Sequence, residues 1–167
     1  MHDDNAEQSA VDAYFKEWSA LINDLIEIDK SEKLEYGSMS AMQLGLCYIE
    51  ALGKLYLFES GKDSLGPAAI FYKTLKLFHI SRKDAKKVYS YRSEMVHIGP
   101  DLRNITVILL NTKENIDINI EWCVTTLNTL LEKVKNIPDR WTLENIAAVF
   151  KPKKTSICQY CQKVRNG

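Results

Sequence analysis

No stretch of the 167 residues approaches the roughly 18–20 uncharged apolar residues that a membrane-spanning helix needs, which excludes a membrane span. There is no internal repeat and no low-complexity tract. There is no net charge either, because Lys+Arg and Asp+Glu both number 22. The opening residues, Met1-His2-Asp3-Asp4, lack the basic-then-apolar order of a signal peptide, so the expectation is a cytoplasmic protein. The four cysteines are then expected to be thiols or metal ligands rather than disulfides.

What is present is enough apolar side chain for a core. Hydrophobic residues make up 46% of the chain and charged residues 26%, a balance that offsets chain entropy and excludes disorder throughout. The length fits one domain, placed at residues 1–150, followed by a short basic tail at 151–167.

The even charge total hides an uneven layout. Residues 1–35 hold ten acids against three lysines, a balance of −7. Residues 73–103 hold eight bases against three acids, and residues 151–167 hold five bases and no acid, a balance of +5 in each case. Such runs are ordinarily solvated helix faces. Two basic blocks on a neutral protein also form a local footprint for a polyanion, and Lys83, Lys86, Lys87 and Arg103 are the candidate RNA-binding residues.

The periodicity is helical almost everywhere. Val11, Tyr14, Phe15, Trp18, Leu21, Ile22, Leu25 and Ile28 recur three or four apart, which predicts a helix over 6–29 with one apolar and one acidic face. Ser40-Ala-Met-Gln43 has the form of a capping box opening a second helix, with Gly61 as its stop. Between 41 and 58 the only charges are Glu50 and Lys54, so this helix should sit centrally. Pro67 opens a third helix running to about Phe78. Ser81 caps a fourth, with Asp84 in its first turn and Gly99-Pro100 at its end. Residues 101–118 read either as a small hairpin or as a loop feeding a fifth helix over about 119–135. Thr142 caps a last helix to Phe150. The fold class is all-α, a five- to six-helix bundle.

Three histidines are available for chemistry. His2 is terminal, and His79, between Phe78 and Ile80, reads as a helix-end residue packed against the core. His97 differs in its neighbours, because Tyr91-Arg92-Ser93-Glu94-Met95-Val96-His97-Ile98-Gly99-Pro100 puts an arginine, a hydroxyl, an acid and an imidazole in the last turns of one helix. Ser93 and His97 are four apart and share a face, so the hydroxyl can orient the ring. Arg92 and His97 are five apart, about 140° around a regular helix. One straight helix does not aim both at the same atom, whereas a second copy across a twofold axis makes a shared cleft.

The chemistry that suits this set is phosphodiester cleavage without a metal. A neutral imidazole near pH 7 takes a proton from a ribose 2′-hydroxyl or returns one to a leaving 5′-oxygen. A guanidinium grips the phosphate and stabilises the charge that builds in the transition state. The structural alternative is that Arg92 pairs with an acid and His97 closes the helix.

Arg92-Ser93-x-x-Val96-His97-x-Gly99, late on an amphipathic helix, resembles the signature of the HEPN superfamily, and is most similar to its Apea-like branch. Tyr48-Ile49-Glu50-Ala51-Leu52 resembles that branch's acid-bearing second helix. The resemblance spans about residues 10–136. It implies a helical bundle that dimerises and is often a metal-independent endoribonuclease, found in toxin–antitoxin, abortive-infection and other antiviral defence systems, with an antitoxin or regulatory partner. Arg92 and His97 would be the catalytic pair and Ser93 the orienting residue. Some HEPN domains are instead non-catalytic RNA-binding or dimerisation modules. The sequence departs from the family at two points. Its glycine follows after Ile98 rather than directly, and Gly99 stands where members controlled by nucleotidyltransferases often carry a tyrosine.

Glu50 has two readings. Either it is partly exposed or paired with Lys54 at i+4, or it points inward and anchors Arg92 or bonds His97. The tail holds Cys158-Gln-Tyr-Cys161, two thiolates that can grip one edge of a tetrahedral zinc. Either two tails share one structural zinc across a dimer, or the pair is a half-site without metal, and the basic tail with Tyr160 touches RNA by charge and stacking. Cys47 and Cys123 are expected in the core. No cofactor is expected for catalysis.

Overall fold

The first helix, α1 (His2–Asp29), is set by one seam of side chains. Val11, Phe15, Trp18, Ile22 and Leu25 recur at steps of four, three, four and three, and all are buried. Leu21, expected in this stripe, falls outside it and stays 37% exposed. A computed structural model describes residues 2–31, 37–58, 65–97, 118–137 and 141–151, with side chains for 5–31, 40–58, 65–93, 118–137 and 141–151. Every element among them is a helix: α1, α2 (Gly37–Tyr56), α3 (Pro67–Lys76), α4 (Arg82–His97), α5 (Ile120–Lys135) and α6 (Leu143–Phe150).

The helix α2 is the axis of the bundle and touches all five others. Its buried face is Ala41, Leu46, Ile49, Leu52 and Leu55. Two glycines let neighbours approach it closely. A Cβ on Gly45 would stand 3.2 Å from the Cβ of Cys123 on α5, and a Cβ on Gly53 would overlap the side chain of Thr74 on α3. Thr74 cannot yield easily, because it is fully buried and its Oγ1 donates to the carbonyl of Ile70 at 2.8 Å. The expected start of α2 is corrected. The helix opens three residues before Ser40, so Ser40 and Gln43 lie inside it, and no proline intervenes upstream to enforce the later start. It ends at Tyr56, before Gly61, which lies outside the described residues.

The other ends follow local chemistry. Pro67 stands in the first turn of α3, where its missing N–H costs nothing. That helix stops at Lys76, two residues sooner than Phe78. The Ile80 N–H reaches back to the Leu75 carbonyl at 3.3 Å, and His79 takes φ 60°, the left-handed residue of a Schellman closure. His79 is therefore at a helix end, but exposed rather than packed on the core. Its place is fixed by Ile80, which is buried. Ser81 caps α4, accepting from the Asp84 N–H at 3.1 Å and donating to Asp84 Oδ2 at 2.6 Å. Asn119 caps α5 and Thr142 caps α6. Trp141, just before α6, is tied to the end of α5, its indole N–H donating to the Val134 carbonyl at 2.7 Å.

The core forms where α1, α2 and α5 meet, with α3 and then α4 layered on the other side of α2. The hairpin-or-loop alternative at 101–118 lies outside the described residues except at Ile118, which is buried in the core. The tail from 152 also lies outside them. No described helix is long and apolar enough to cross a membrane.

The tight α2–α3 contact makes a specific demand. Gly53→Ala should destabilise the fold by about 2 kcal/mol, despite alanine's better helix propensity, because the added methyl overpacks a site that cannot shift. Adding Thr74→Ala should restore much of that loss in chemical denaturation. An unchanged midpoint for Gly53→Ala would contradict the close approach.

Candidate functional site

The face that α4 turns to its neighbours carries Ala85, Val88 and Tyr91, all buried. Arg92 follows on the same side, seven residues after Ala85 and four after Val88. It meets Glu50, the one acid of α2's apolar stretch. Arg92 Nη2 lies 2.8 Å from Glu50 Oε2, with the two side chains 16% and 18% exposed. Lys54, the alternative partner at i+4, instead lies over the ring of Phe150, 5.4 Å from its centroid. The contact is ionic more than directional. Glu50 Oε2 and Arg92 Nε are both buried, and neither makes a hydrogen bond of good geometry. The Nε position of the guanidinium thus takes no part in the pairing.

Two residues that the motif does not contain complete the seat. The Arg92 guanidinium carbon lies 5.9 Å from the ring centroid of Tyr89, within cation–π range. Tyr89 is itself fixed by ring contacts to Phe71 and Tyr72 on α3, at 5.6 and 5.7 Å. Its phenol also faces the Ser93 hydroxyl one turn on. The Cys47 thiol, one turn before Glu50 on α2, stands beside Arg92. Spacing gave a signal for both residues: Tyr89 is three before Arg92 and four before Ser93, and Cys47 is three before Glu50.

Burial sets the electrostatics. It raises the Glu50 carboxyl above its ordinary value, although Arg92 and then Lys54 pull the other way. Burial likewise raises the Cys47 thiol against the pull of Arg92, so this thiol is not activated by its cationic neighbour. The Tyr89 phenol is raised by burial and by Glu50. On α5, burial pushes the Cys123 thiol up to about 12. Cys123 Sγ packs 3.6 Å from Met42 Sδ as a core residue.

The structure therefore brings together Glu50, Arg92 and Ser93, the last through Tyr89. The backbone of His97 closes α4, and its side chain lies outside the described residues. Lys83 and Lys86 are exposed on α4. Lys87 is drawn 3.4 Å from Asp84 Oδ1. Arg103 and the candidate zinc pair Cys158 and Cys161 lie outside the described residues. Among the described residues no cluster of three or more His, Cys, Asp or Glu side chains could hold a metal ion. Compared with known protein families, characterised proteins and solved structures, the chain matches none.

Removing the Glu50 carboxylate strands a mostly buried cation. Glu50→Leu should cost about 2–3 kcal/mol, and Glu50→Leu with Arg92→Leu should recover most of it. The sign of the pH effect is also fixed. A carboxyl raised on folding contributes stability that is full below its ordinary range and is lost as pH rises through the raised value. Denaturation of Glu50→Gln across that range should lack this decline. A Glu50→Leu variant as stable as the parent would contradict the pairing.

Proposed function

We propose that the chain is a metal-independent endoribonuclease of HEPN type, a cytoplasmic homodimer serving as a toxin or antiviral defence effector under the control of an antitoxin or regulatory protein. The observation that carries this reading is the seat of Arg92. The arginine of Arg92-Ser93-x-x-Val96-His97-x-Gly99 is held by the acid of Tyr48-Ile49-Glu50-Ala51-Leu52, so the two segments that resemble one family meet in one contact.

In this reading His97 takes the proton of a ribose 2′-hydroxyl. The 2′-oxygen attacks the adjacent phosphorus, and the bond from phosphorus to the 5′-oxygen breaks. The imidazolium so formed then returns its proton to the leaving oxygen. The products are a 2′,3′-cyclic phosphate and a 5′-hydroxyl end. Arg92 bears on the phosphate's non-bridging oxygens as charge builds there, and Ser93 orients the imidazole. Because Arg92 and His97 are about 140° apart on one helix, the pair is completed by packing α4 against α4 of a second copy. No metal takes part in the cleavage. A structural zinc, if held, is shared by Cys158 and Cys161 of two tails.

One observation favours a second reading. Arg92 is already neutralised by Glu50 and covered by Tyr89, which suits a non-catalytic HEPN-like RNA-binding or dimerisation module. Incubation of purified protein with RNA in a chelator separates the two. The nuclease reading predicts cyclic-phosphate ends, no cleavage of an all-2′-deoxy strand, and a loss of about 100-fold or more in His97→Ala. Arg92→Lys, which keeps the charge at the buried seat, should lose activity without losing the fold. Full activity in His97→Ala overturns the assignment, and RNA binding without turnover establishes the second reading.

A further inference from the structure

The turn that joins α3 to α4 gathers charge. Lys73 and Lys76 lie on the last turn of α3. Arg82, Lys83 and Lys86 lie on the first turns of α4. All five are exposed. The Schellman closure at His79 keeps the connection to five residues and sets the two helix ends side by side. The only acid in this stretch is Asp84, and it is occupied by the Ser81 hydroxyl and by Lys87. Asp84 also draws on Lys83, so a single acid stands against the five exposed cations of this stretch.

Among the described residues the acidic helix α1 does not neutralise them. The acidic helix α1 packs on α2, α5 and α6, and among the described residues it makes no contact with α3 or α4. With α2 standing between, the described helices place acidic α1 on one side and basic α3 and α4 on the other.

We propose that the α3–α4 corner, formed by Lys73, Lys76, Arg82, Lys83 and Lys86, is a docking surface for the phosphate backbone of single-stranded RNA. It keeps Lys83 and Lys86 of the sequence expectation, adds Lys73, Lys76 and Arg82, and leaves out Lys87, which is drawn to Asp84, and Arg103, which lies outside the described residues. The apolar neighbours Ile70, Phe71, Leu75 and Ile80 are buried, Tyr72 and Phe78 are half-buried against the core, and Leu77 is 37% exposed. A membrane surface or a folded protein partner would need a broader apolar anchor than one exposed leucine and the edges of two half-buried rings. Flexible cations spread over two helix ends suit a phosphate chain, which demands charge and spacing rather than a shaped pocket. From Lys83 to His97 the helix rises about 21 Å, at about 1.5 Å per residue. A strand held at the corner can therefore run along α4 toward its C-terminal end. The choice of RNA rests on the function proposed above, whereas the surface itself stands on charge and exposure and does not require Arg92 and His97 to be catalytic.

The test is anisotropy of a fluorescent 2′-O-methyl single-stranded RNA, which cannot be cleaved by 2′-hydroxyl attack, titrated with the full chain over a range of KCl. Each phosphate contact on a single strand adds about 0.7 to the slope of log affinity against log salt, so five contacts give about −3.5. Changing all five residues to Gln should weaken binding at least about tenfold and flatten that slope. Changing the exposed Lys16, Lys30 and Lys133 to Gln should leave affinity within about twofold, because these lie on α1, at its end, and on α5. Affinity retained in the five-fold variant, or lost equally in the control, overturns the proposal. So does tighter binding to phosphatidylserine vesicles or to polyglutamate than to RNA. Because the probe resists cleavage, a failed nuclease assay with corner-dependent binding leaves this surface standing, and the reverse result removes it alone.

Discussion

A carboxylate and a guanidinium, taken mostly out of water between α2 and α4, decide how the fourth helix sits. That helix is polar along much of its length and packs only on α2 and α3 among the described elements. Among the described residues its apolar hold is Ala85, Val88 and Tyr91. Only one rotation of α4 about its axis puts these three inward and also seats Arg92 on Glu50. Desolvating two charges costs about what their attraction returns, so the pair adds less to stability than to geometry. Tyr89, locked by Phe71 and Tyr72, covers the guanidinium from the α3 side. Arg92 is thereby a fixed group on that helix.

The same layering separates charge. Because α2 carries almost no charge and lies at the centre, it acts as an apolar spacer. Acidic α1 covers one side of it, and basic α3 and α4 cover the other. The two glycines of α2 let that spacer be thin, with Cys123 approaching at Gly45 and Thr74 at Gly53. A chain with no net charge can in this way present a basic face of local strength to a polyanion.

Much of the fold was legible because its signals are local. Pro67, Ser81 and Thr142 mark helix starts through backbone groups within one turn. The seam from Val11 to Leu25 repeats often enough to override single exceptions such as Leu21. Failures came where a local signal competed with something longer in range. Ser40-Ala-Met-Gln43 has the form of a cap, yet the helix extends through it. His79 takes a left-handed conformation with no glycine to announce it, because burying Ile80 demands the reversal. At the site, Glu50 and Arg92 lie 42 residues apart, so sequence alone left Lys54, Arg92 and His97 all open as partners for the acid. Tyr89 was within reach, since its spacing to Arg92 and Ser93 is helical, but a motif read from Arg92 onward does not look backwards along the helix.

The proposed chemistry turns on whether Arg92 and His97 of different subunits make one site. Subunit mixing tests this most directly. Arg92→Lys and His97→Ala proteins, each inactive alone, are co-refolded and assayed for RNA cleavage in a chelator. A mixed dimer then holds one site with both native residues and one with neither. Restored cleavage in the mixture, absent from either protein alone, is the predicted result. A mixture that forms mixed dimers yet stays inactive would contradict it.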